Sequence, residues 1–412
     1  MHVVREDPEL EGLLYAGTET GAYISFDGGD HWQPLQLNLP TTSVRDLNVH
    51  GSDLVAATYG RGLWILDDLS PLRQIKSDLR TSNYLYQPAA TTRVRWDNHP
   101  DTPLSADTPA GDNPPEGAII YYYLKSPAKE ITLEIRDARG EVVRRFSNKA
   151  PAAEPRSRNV PDYWFAPPEV LTTNAGLNRF AWNLEWPHPD TLTYNFRGQP
   201  IDYIEYTLPD HAVAGKTPIN QPPGPLAAPG RYEVVLTIDG KTYRHPLMVT
   251  LDPRVRVGPG DLEAQLDLAR MIDAWMNSSY HSYNDVRTLR TALANAQKPL
   301  AANSPAKEAS DAAQALDKEL SEIQDGTNTA PGFGSVNRDV ARFVTMVQSG
   351  DIRPAKSIIE NAAPSCVALK NDLARWRKIN AETLLALNSL LKQNNLSPLA
   401  IAAVDKDPVC PK

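Results

Sequence analysis

The 412-residue sequence has little cysteine, no long hydrophobic segment and no excess of basic residues. Its best apolar run, Ala118 to Leu124, is far too short for a bilayer span, which needs about 20 apolar residues. The 42 lysines and arginines are outnumbered by 50 aspartates and glutamates, and this net negative charge argues against a nucleic-acid binder, which needs a basic patch. The first residues, MHVVREDPELEG, also lack the form of a signal peptide. We therefore expect no membrane span and no nucleic-acid partner.

The only two cysteines, Cys366 and Cys410, both lie near the C-terminus. They are either two separate thiols or one disulfide that ties the proline-containing tail, residues 396–412, to a helix. A disulfide would indicate an oxidising compartment. Two cysteines at this spacing fit no zinc site, which needs four clustered ligands.

Residues 1–75 contain short strand-like segments separated by turn residues. Segments at this spacing predict an antiparallel meander. The predicted strands are Leu13–Ala16, Ala22–Ser25, Trp32–Leu35, Val44–Val49, Leu54–Thr58 and Leu63–Leu66.

Residues 84–252 are also predicted to be β, with longer connections. Asp137 to Gly140 and Asp239-Gly240 are typical of hairpin turns. The pattern indicates a two-sheet β-sandwich of immunoglobulin type, interrupted by polar inserts near 150–175 and 187–228. The predicted strands are Ile119–Leu124, Ile131–Arg136, Val142–Phe146, Asn178–Leu184, Tyr232–Ile238 and Lys241–Val249.

Residues 259–395 carry apolar side chains at helical spacing and predict an α-helical bundle, followed by the tail. The first apolar stripe runs from Leu262 to Met276 and continues to Leu293 after a polar interval. The remaining predicted elements are the helices Ala309–Ile323 and Val336–Val347, a loop at Ala330–Gly334 and a long final helix marked by apolar positions from Cys366 to Leu391.

The octapeptide SFDGGDHW matches the Asp-box pattern, Ser-x-Asp-x-Gly-x-x-Trp, through Ser25, Asp27, Gly29 and Trp32. In such a hairpin the aspartate accepts hydrogen bonds from backbone N–H groups, and glycine supplies the positive φ of the turn. The tryptophan folds back over the hairpin and buries apolar surface. We therefore interpret Asp27 as a structural clamp and not as a catalytic acid. The alternating acids and distal glutamate of an EF-hand calcium loop are absent.

LLYAGTETGAYISFDGGDHWQPL, followed by LVAATYGRGLWILDDLSPL, resembles the closing part of a β-propeller of the Asp-box (BNR) repeat class. That class includes sialidases, xyloglucanases and the sortilin luminal domain. The resemblance is strongest to large secreted bacterial proteins described as glycosyl-hydrolase-like or sortilin-like repeat proteins. Their propellers end in a Thr-His-Gly-Arg-Gly-like turn, which corresponds here to Thr58 and Tyr59 followed by Gly60, Arg61 and Gly62.

Downstream segments extend the resemblance to nearly the whole chain. ITLEIRDARGEVVRRF and APGRYEVVLTIDGKTYRHPLMVTLDPRV resemble the immunoglobulin-like domain of those proteins, and LKNDLARWRKINAETLLALNSLL resembles their helical domain. The resemblance implies a partial propeller of one to two terminal blades in residues 1–75, an immunoglobulin-like domain in 84–252 and a helical bundle in 259–395. Because a propeller has about 4–8 blades, it also implies that further blades precede Met1 and that the protein is secreted or periplasmic.

A glycosidase needs two carboxylates that flank the scissile bond. Asp67 and Asp68 adjoin the last predicted strand, where neighbouring residues face opposite ways, so we expect that they do not converge. The resemblance implies that the catalytic acids of the family, where they exist, lie on blades outside this sequence, so no catalytic residue, metal ligand or cofactor is predicted. The acidic candidates considered in this region are Glu19, Asp27, Asp30, Asp46, Asp67 and Asp68.

Three further features have a functional and a structural interpretation, and the structural one is favoured for each. Arg61 either binds a carboxylate, as sialidase arginines do, or closes a blade through its backbone. His188 and His281 are either single metal ligands or loop residues. The loop aromatics, which either stack on sugar rings or pack, are Tyr163, Trp164, Phe165, Tyr203 and Tyr206.

The favoured function is a non-catalytic accessory or interaction region of a secreted Asp-box propeller protein that binds a glycan or a protein. The alternative is part of a glycoside hydrolase, with its carboxylates on missing blades or at the junction of propeller and sandwich. A carboxylate pair in a cleft would favour the hydrolase. A sortilin-like receptor is a third hypothesis.

Overall fold

The computed structural model describes residues 1–75, 81–95, 111, 113–149, 169–192, 195–196, 199–200, 223–301 and 306–411. Within these ranges the protein is a mixed β and α structure: strands precede residue 252, and long helices follow from residue 259. None of the helices in these ranges has the length and apolar character needed to cross a bilayer.

The N-terminal β region, residues 1–75, forms two antiparallel sheets, β1-β2-β3-β4 and β5-β6-β7. Their facing sides share one core that includes Tyr15, Ile24, Leu47 and Leu54. The predicted strands are confirmed, and β1 was not predicted because its four residues show no apolar alternation. The strands are β1 (Val3–Glu6), β2 (Leu14–Gly17), β3 (Ala22–Ser25), β4 (Gln33–Pro34), β5 (Val44–His50), β6 (Asp53–Thr58) and β7 (Leu63–Leu66), and the 3₁₀ turn Leu72–Gln74 follows.

The central β region, residues 81–252, contains a three-stranded sheet, β13-β10-β8, and a five-stranded sheet, β12-β11-β16-β17-β9. The short strands β8 and β9 were not predicted, and β9 joins its sheet parallel to β17, which no local pattern specifies. The strands are β8 (Tyr84–Leu85), β9 (Thr91–Arg93), β10 (Ala118–Leu124), β11 (Ile131–Arg136), β12 (Val142–Ser147), β13 (Gly176–Trp182), β14 (Asn195–Phe196), β15 (Gln199–Pro200), β16 (Gly230–Ile238) and β17 (Lys241–Leu251).

The two central sheets share a second core. Ile120 and Trp182 of the three-stranded sheet pack in it with Leu133 and Val234 of the five-stranded sheet. The hairpin between β16 and β17 turns at Asp239 and Gly240, whose φ angles of 45° and 86° are the positive values that a tight hairpin needs. At the described ends of the two polar inserts, Leu171 and Ala227 are buried in this core, and Leu226 packs against it.

The helical region, residues 259–411, is built on one long helix that unites both predicted apolar stripes. The final predicted helix is divided by a π segment, and the predicted loop at 330–334 is wrong at its end because α3 already begins at Phe333. The helices are α1 (Pro259–Ala301), α2 (Lys307–Asp325), α3 (Phe333–Val347), α4 (Lys356–Lys378), the π segment Ile379–Thr383 and α5 (Leu384–Gln393).

The C-terminal tail runs back along the helices. The backbone of Leu399 is held by the Asn388 side chain, and the Trp275 indole donates a hydrogen bond to the Val409 carbonyl over 2.9 Å. The sulfurs of Cys366, which is buried on α4, and Cys410 are bonded. The tail is therefore attached both covalently and through polar contacts.

Candidate functional site

The Asp-box residues form one hydrogen-bonded turn between β3 and β4. The Ser25 hydroxyl donates to Asp27 Oδ1 over 2.8 Å, and the His31 N–H donates to the same oxygen over 2.9 Å. The Trp32 indole N–H donates to the Gly29 carbonyl over 2.9 Å. Every bond of the aspartate carboxylate lies inside its own turn, which is the arrangement expected of a clamp.

The bonds to His31 and Ser25 lower the pKa of Asp27 to about 2. We expect Asp27→Asn to increase hydrogen exchange at the His31 amide, because a neutral amide oxygen accepts a weaker hydrogen bond than a carboxylate. In the wild-type chain the same protection should be lost as the pH falls from about 4 through about 2, where the carboxylate becomes protonated. Amide exchange followed by NMR measures both effects. Exchange unchanged in Asp27→Asn would contradict the clamp.

The glycine-rich turn before β7 is also formed by backbone contacts. Gly60 and Gly62 have φ angles of 81° and 73°, which glycine adopts without steric cost. The Thr58 N–H donates to the Gly62 carbonyl, and the Trp64 indole donates to the Arg61 carbonyl over 3.0 Å. Arg61 therefore takes part in the turn through its backbone.

A cleft of about 380 Å³ lies where the three regions meet; we call it the junction cleft. Its walls come from the β6 and β7 ends, from the β9 and β10 neighbourhoods, from the loop after β13 and from the end of α3. The charged and amide side chains that line it are Asp53, Asp67, Asp68, Arg95, Glu116, Asn183, Glu185 and Gln348.

Asp67 and Asp68 both contribute to the lining of the junction cleft, although strand alternation predicts that they face opposite ways. The two residues follow the end of β7, and Asp68 has a φ of 58°, in the left-handed region. Its N–H donates to Asp53 Oδ1 over 3.0 Å, which stabilises this turn. The turn breaks the strand alternation on which the expectation depended.

Burial and the neighbouring Asp53 and Asp68 carboxylates raise the pKa of Asp67 above its usual value, although Arg179 partly opposes the shift. An acid with a raised pKa in a cleft is a functional candidate, because it can hold a proton at a pH where other aspartates have lost theirs. Among the acidic residues that line the cleft, Asp67 is therefore the strongest candidate for a functional role.

Two arginines fasten the cleft to the helical region. Arg93, which is 1% exposed, and Arg95 each place a nitrogen 2.6 Å from Asp351 Oδ1. Arg93 also donates to the Ala227 carbonyl, and Arg95 to the Gln348 carbonyl. This arginine junction joins β9, the loop before β16 and the end of α3 beside the cleft.

The other sequence-derived candidates lie elsewhere. Glu19 contacts His2, Asp46 pairs with Arg5, and neither lines the cleft. Among the residues that the structure describes, no group of three or more histidine, cysteine, aspartate or glutamate side chains is arranged to hold a metal ion. Of the two single histidines, His188 lies 3.7 Å from Glu185 and His281 lies 3.2 Å from Asp190. The aromatics proposed to stack on sugars, Tyr163, Trp164, Phe165, Tyr203 and Tyr206, fall outside the described residues.

Sequence reasoning did not identify Arg95, Glu116 or Glu185 as cleft residues. They come from three segments that are separated along the chain, and none lies in a recognisable motif. Comparison with models of protein families, with curated proteins and with solved structures finds no match to this chain.

Proposed function

We propose that this chain is a ligand-binding accessory region of a secreted or periplasmic Asp-box propeller protein, and that the junction cleft is its binding site for a glycan or protein ligand. The cleft is the observation that carries the proposal. It is concave, and it brings together carboxylate, guanidinium and amide groups, which is typical of a site that orients a polar ligand.

Three features support the architecture in this proposal. The clamp bonds of Asp27 support an Asp-box hairpin, and the four-stranded meander β1-β2-β3-β4 has the strand number of a propeller blade. The two facing central sheets with their common core support the immunoglobulin-like assignment. The bond between Cys366 and Cys410 supports an oxidising compartment.

An exposed apolar face on the β5-β6-β7 sheet supports the proposal that further propeller blades are partners of this chain. Its outer strand β7 exposes 73% of Leu63 and 58% of Ile65 on one face. In a propeller such a face packs against a neighbouring blade, which would remove these side chains from water.

Asp67→Asn is expected to weaken ligand binding by at least about tenfold, because a hydrogen bond to a carboxylate contributes more than one to a neutral amide. The measurement is binding of the labelled chain to arrays of oligosaccharides and of purified proteins, followed by titration of each ligand found. Asp46→Asn is the control, because Asp46 is exposed and paired with Arg5 away from the cleft. Absence of binding on both arrays would contradict the proposal.

A second candidate function is glycoside hydrolysis. The observation that favours it is the presence of several carboxylates in one cleft, with the pKa of Asp67 raised by burial and by Asp53. In this alternative Asp67 is the general acid that protonates the leaving oxygen. The measurement is the release of new reducing ends from a bound oligosaccharide. Release by the wild type that is lost in Asp67→Asn, while the variant still binds the oligosaccharide at other subsites, would favour the hydrolase. Binding without any release favours the accessory function.

A further inference from the structure

The outer face of the three-stranded central sheet carries four tyrosines, which we call the tyrosine face: Tyr84, Tyr86, Tyr121 and Tyr123. Tyr84 on β8 lies directly opposite Tyr123 on β10, and the Tyr86 N–H donates to the Tyr121 carbonyl over 3.0 Å. The rings of Tyr84 and Tyr86 pack edge to face at 5.0 Å between centroids. Because alternate strand residues share a side, the four rings form one patch.

The tyrosine face lies opposite the core side of its sheet. The intervening β10 residues, Ile120 and Tyr122, are buried in the central core. On the outer side, Tyr86 and Tyr121 are buried, whereas Tyr84 and Tyr123 are half-buried. Leu177, the β13 neighbour of Tyr123, is 53% exposed. A row of three solvent-accessible apolar side chains therefore crosses the sheet from Tyr84 to Leu177.

Along β10 the buried Tyr121 lies between this row and the junction cleft. Burial raises the pKa of Tyr121, the Asp68 and Asp67 carboxylates add to the shift, and Arg179 opposes it. Ile119, two residues before Tyr121 on the same side of β10, is part of the cleft lining. Through Ile119 and Tyr121 on β10, the tyrosine face therefore borders the junction cleft.

The chemistry along this surface matches a chain of sugar rings. A pyranose has an apolar C–H face, which packs on an aromatic ring or a leucine, and a rim of hydroxyls, which bond to carboxylate, guanidinium and amide groups. The tyrosine face offers the apolar groups, and the neighbouring junction cleft offers the polar ones. From this geometry we infer that the tyrosine face and the junction cleft together bind an uncharged oligosaccharide.

The charge of the cleft selects against acidic sugars. Its described lining has five carboxylates, those of Asp53, Asp67, Asp68, Glu116 and Glu185, against the single guanidinium of Arg95. Like charges in a shared cleft repel, so a uronic or sialic acid would bind less well than a neutral sugar of the same size. This inference rests on the proposed binding function and adds the ligand class and a second part of the site.

The experiment titrates the full chain with neutral hexasaccharides of glucose, mannose, galactose and N-acetylglucosamine, and with a hexamer of galacturonic acid. We expect at least one neutral hexamer to bind, and the acidic hexamer to bind at least about tenfold more weakly. Tyr123→Ala should weaken neutral binding by at least about tenfold, whereas Tyr123→Phe should retain it, because the ring and not the hydroxyl makes the contact.

Two further variants separate a lost contact from a damaged fold. Leu177→Glu places a charge in the exposed row without changing the core and should weaken binding like Tyr123→Ala. Tyr59→Ala removes a tyrosine that is 73% exposed on another surface and should bind like the wild type. The inference would be overturned if the neutral hexasaccharides bound Tyr123→Ala and Leu177→Glu as tightly as the wild type. It would also be overturned if the acidic hexamer bound the wild type as tightly as the neutral ones. Binding of proteins but of no sugar would overturn it while leaving the proposed function standing.

Discussion

Asp351→Asn is expected to lower the free energy of unfolding by about 3–5 kcal/mol, because it leaves buried guanidinium charge without its carboxylate partner. Asp351 is 4% exposed, and its Oδ1 lies 2.6 Å from nitrogens of both Arg93 and Arg95. Burial already lowers the pKa of Arg93, so the loss of the neighbouring negative charge adds to a cost that is present in the wild type. Urea unfolding followed by tryptophan fluorescence measures the change.

The control is Asp339→Asn. Asp339 pairs with Arg338 at 3.0 Å on α3, but both side chains are about 40% exposed, so its loss should cost less than about 1 kcal/mol. Because Arg95 forms part of the cleft wall, Asp351→Asn should also weaken ligand binding. Equal stabilities of the two variants would show that the arginine junction does not hold the regions together.

Removal of the disulfide by Cys366→Ala together with Cys410→Ala is expected to lower the unfolding free energy of the helical region by about 4 kcal/mol. The two cysteines are 44 residues apart, so the disulfide restricts a large loop in the unfolded chain. In the folded chain the tail would be held mainly by contacts such as the Trp275–Val409 hydrogen bond and the Arg377–Asp407 ion pair.

Denaturant unfolding with and without dithiothreitol tests this effect. Reductant should destabilise the wild type and should leave the double alanine variant unchanged, which makes the variant its own control. Hydrogen exchange at residues near Val409 should increase in the variant as the tail detaches more often. A wild type whose unfolding is insensitive to the reductant would contradict the expectation.

Local features were predictable from the sequence because their causes are local. The Asp-box turn is specified within eight residues, where Ser25 and Asp27 bond to groups at most four positions away. The Asp239-Gly240 hairpin depends on two residues that tolerate positive φ. The long strands and helices followed from apolar periodicity over their own length.

The short strands and the interruption in the last helix were harder to predict from the sequence. β9 has three residues and pairs in parallel with β17, far along the chain, so its conformation depends on a partner that no local pattern identifies. The change from α4 to the π segment at Ile379 has no proline or glycine to mark it, and the apolar spacing continues through it.

The sequence by itself determined the order of β and α regions, the Asp-box clamp and the net negative charge, because these depend on residue types and on short spacings. The tertiary structure decided the junction cleft, the place of Asp67 and Asp68 in its lining and the arginine junction beside it. These features join segments from residue 53 to residue 351, and their contacts exist only after the separate cores have packed. The tyrosine face depends on both the sequence and the tertiary structure. The alternation of Tyr121 and Tyr123 is visible in the sequence, but the position of the face beside the acidic cleft depends on how the sheets and the turn after β7 come together.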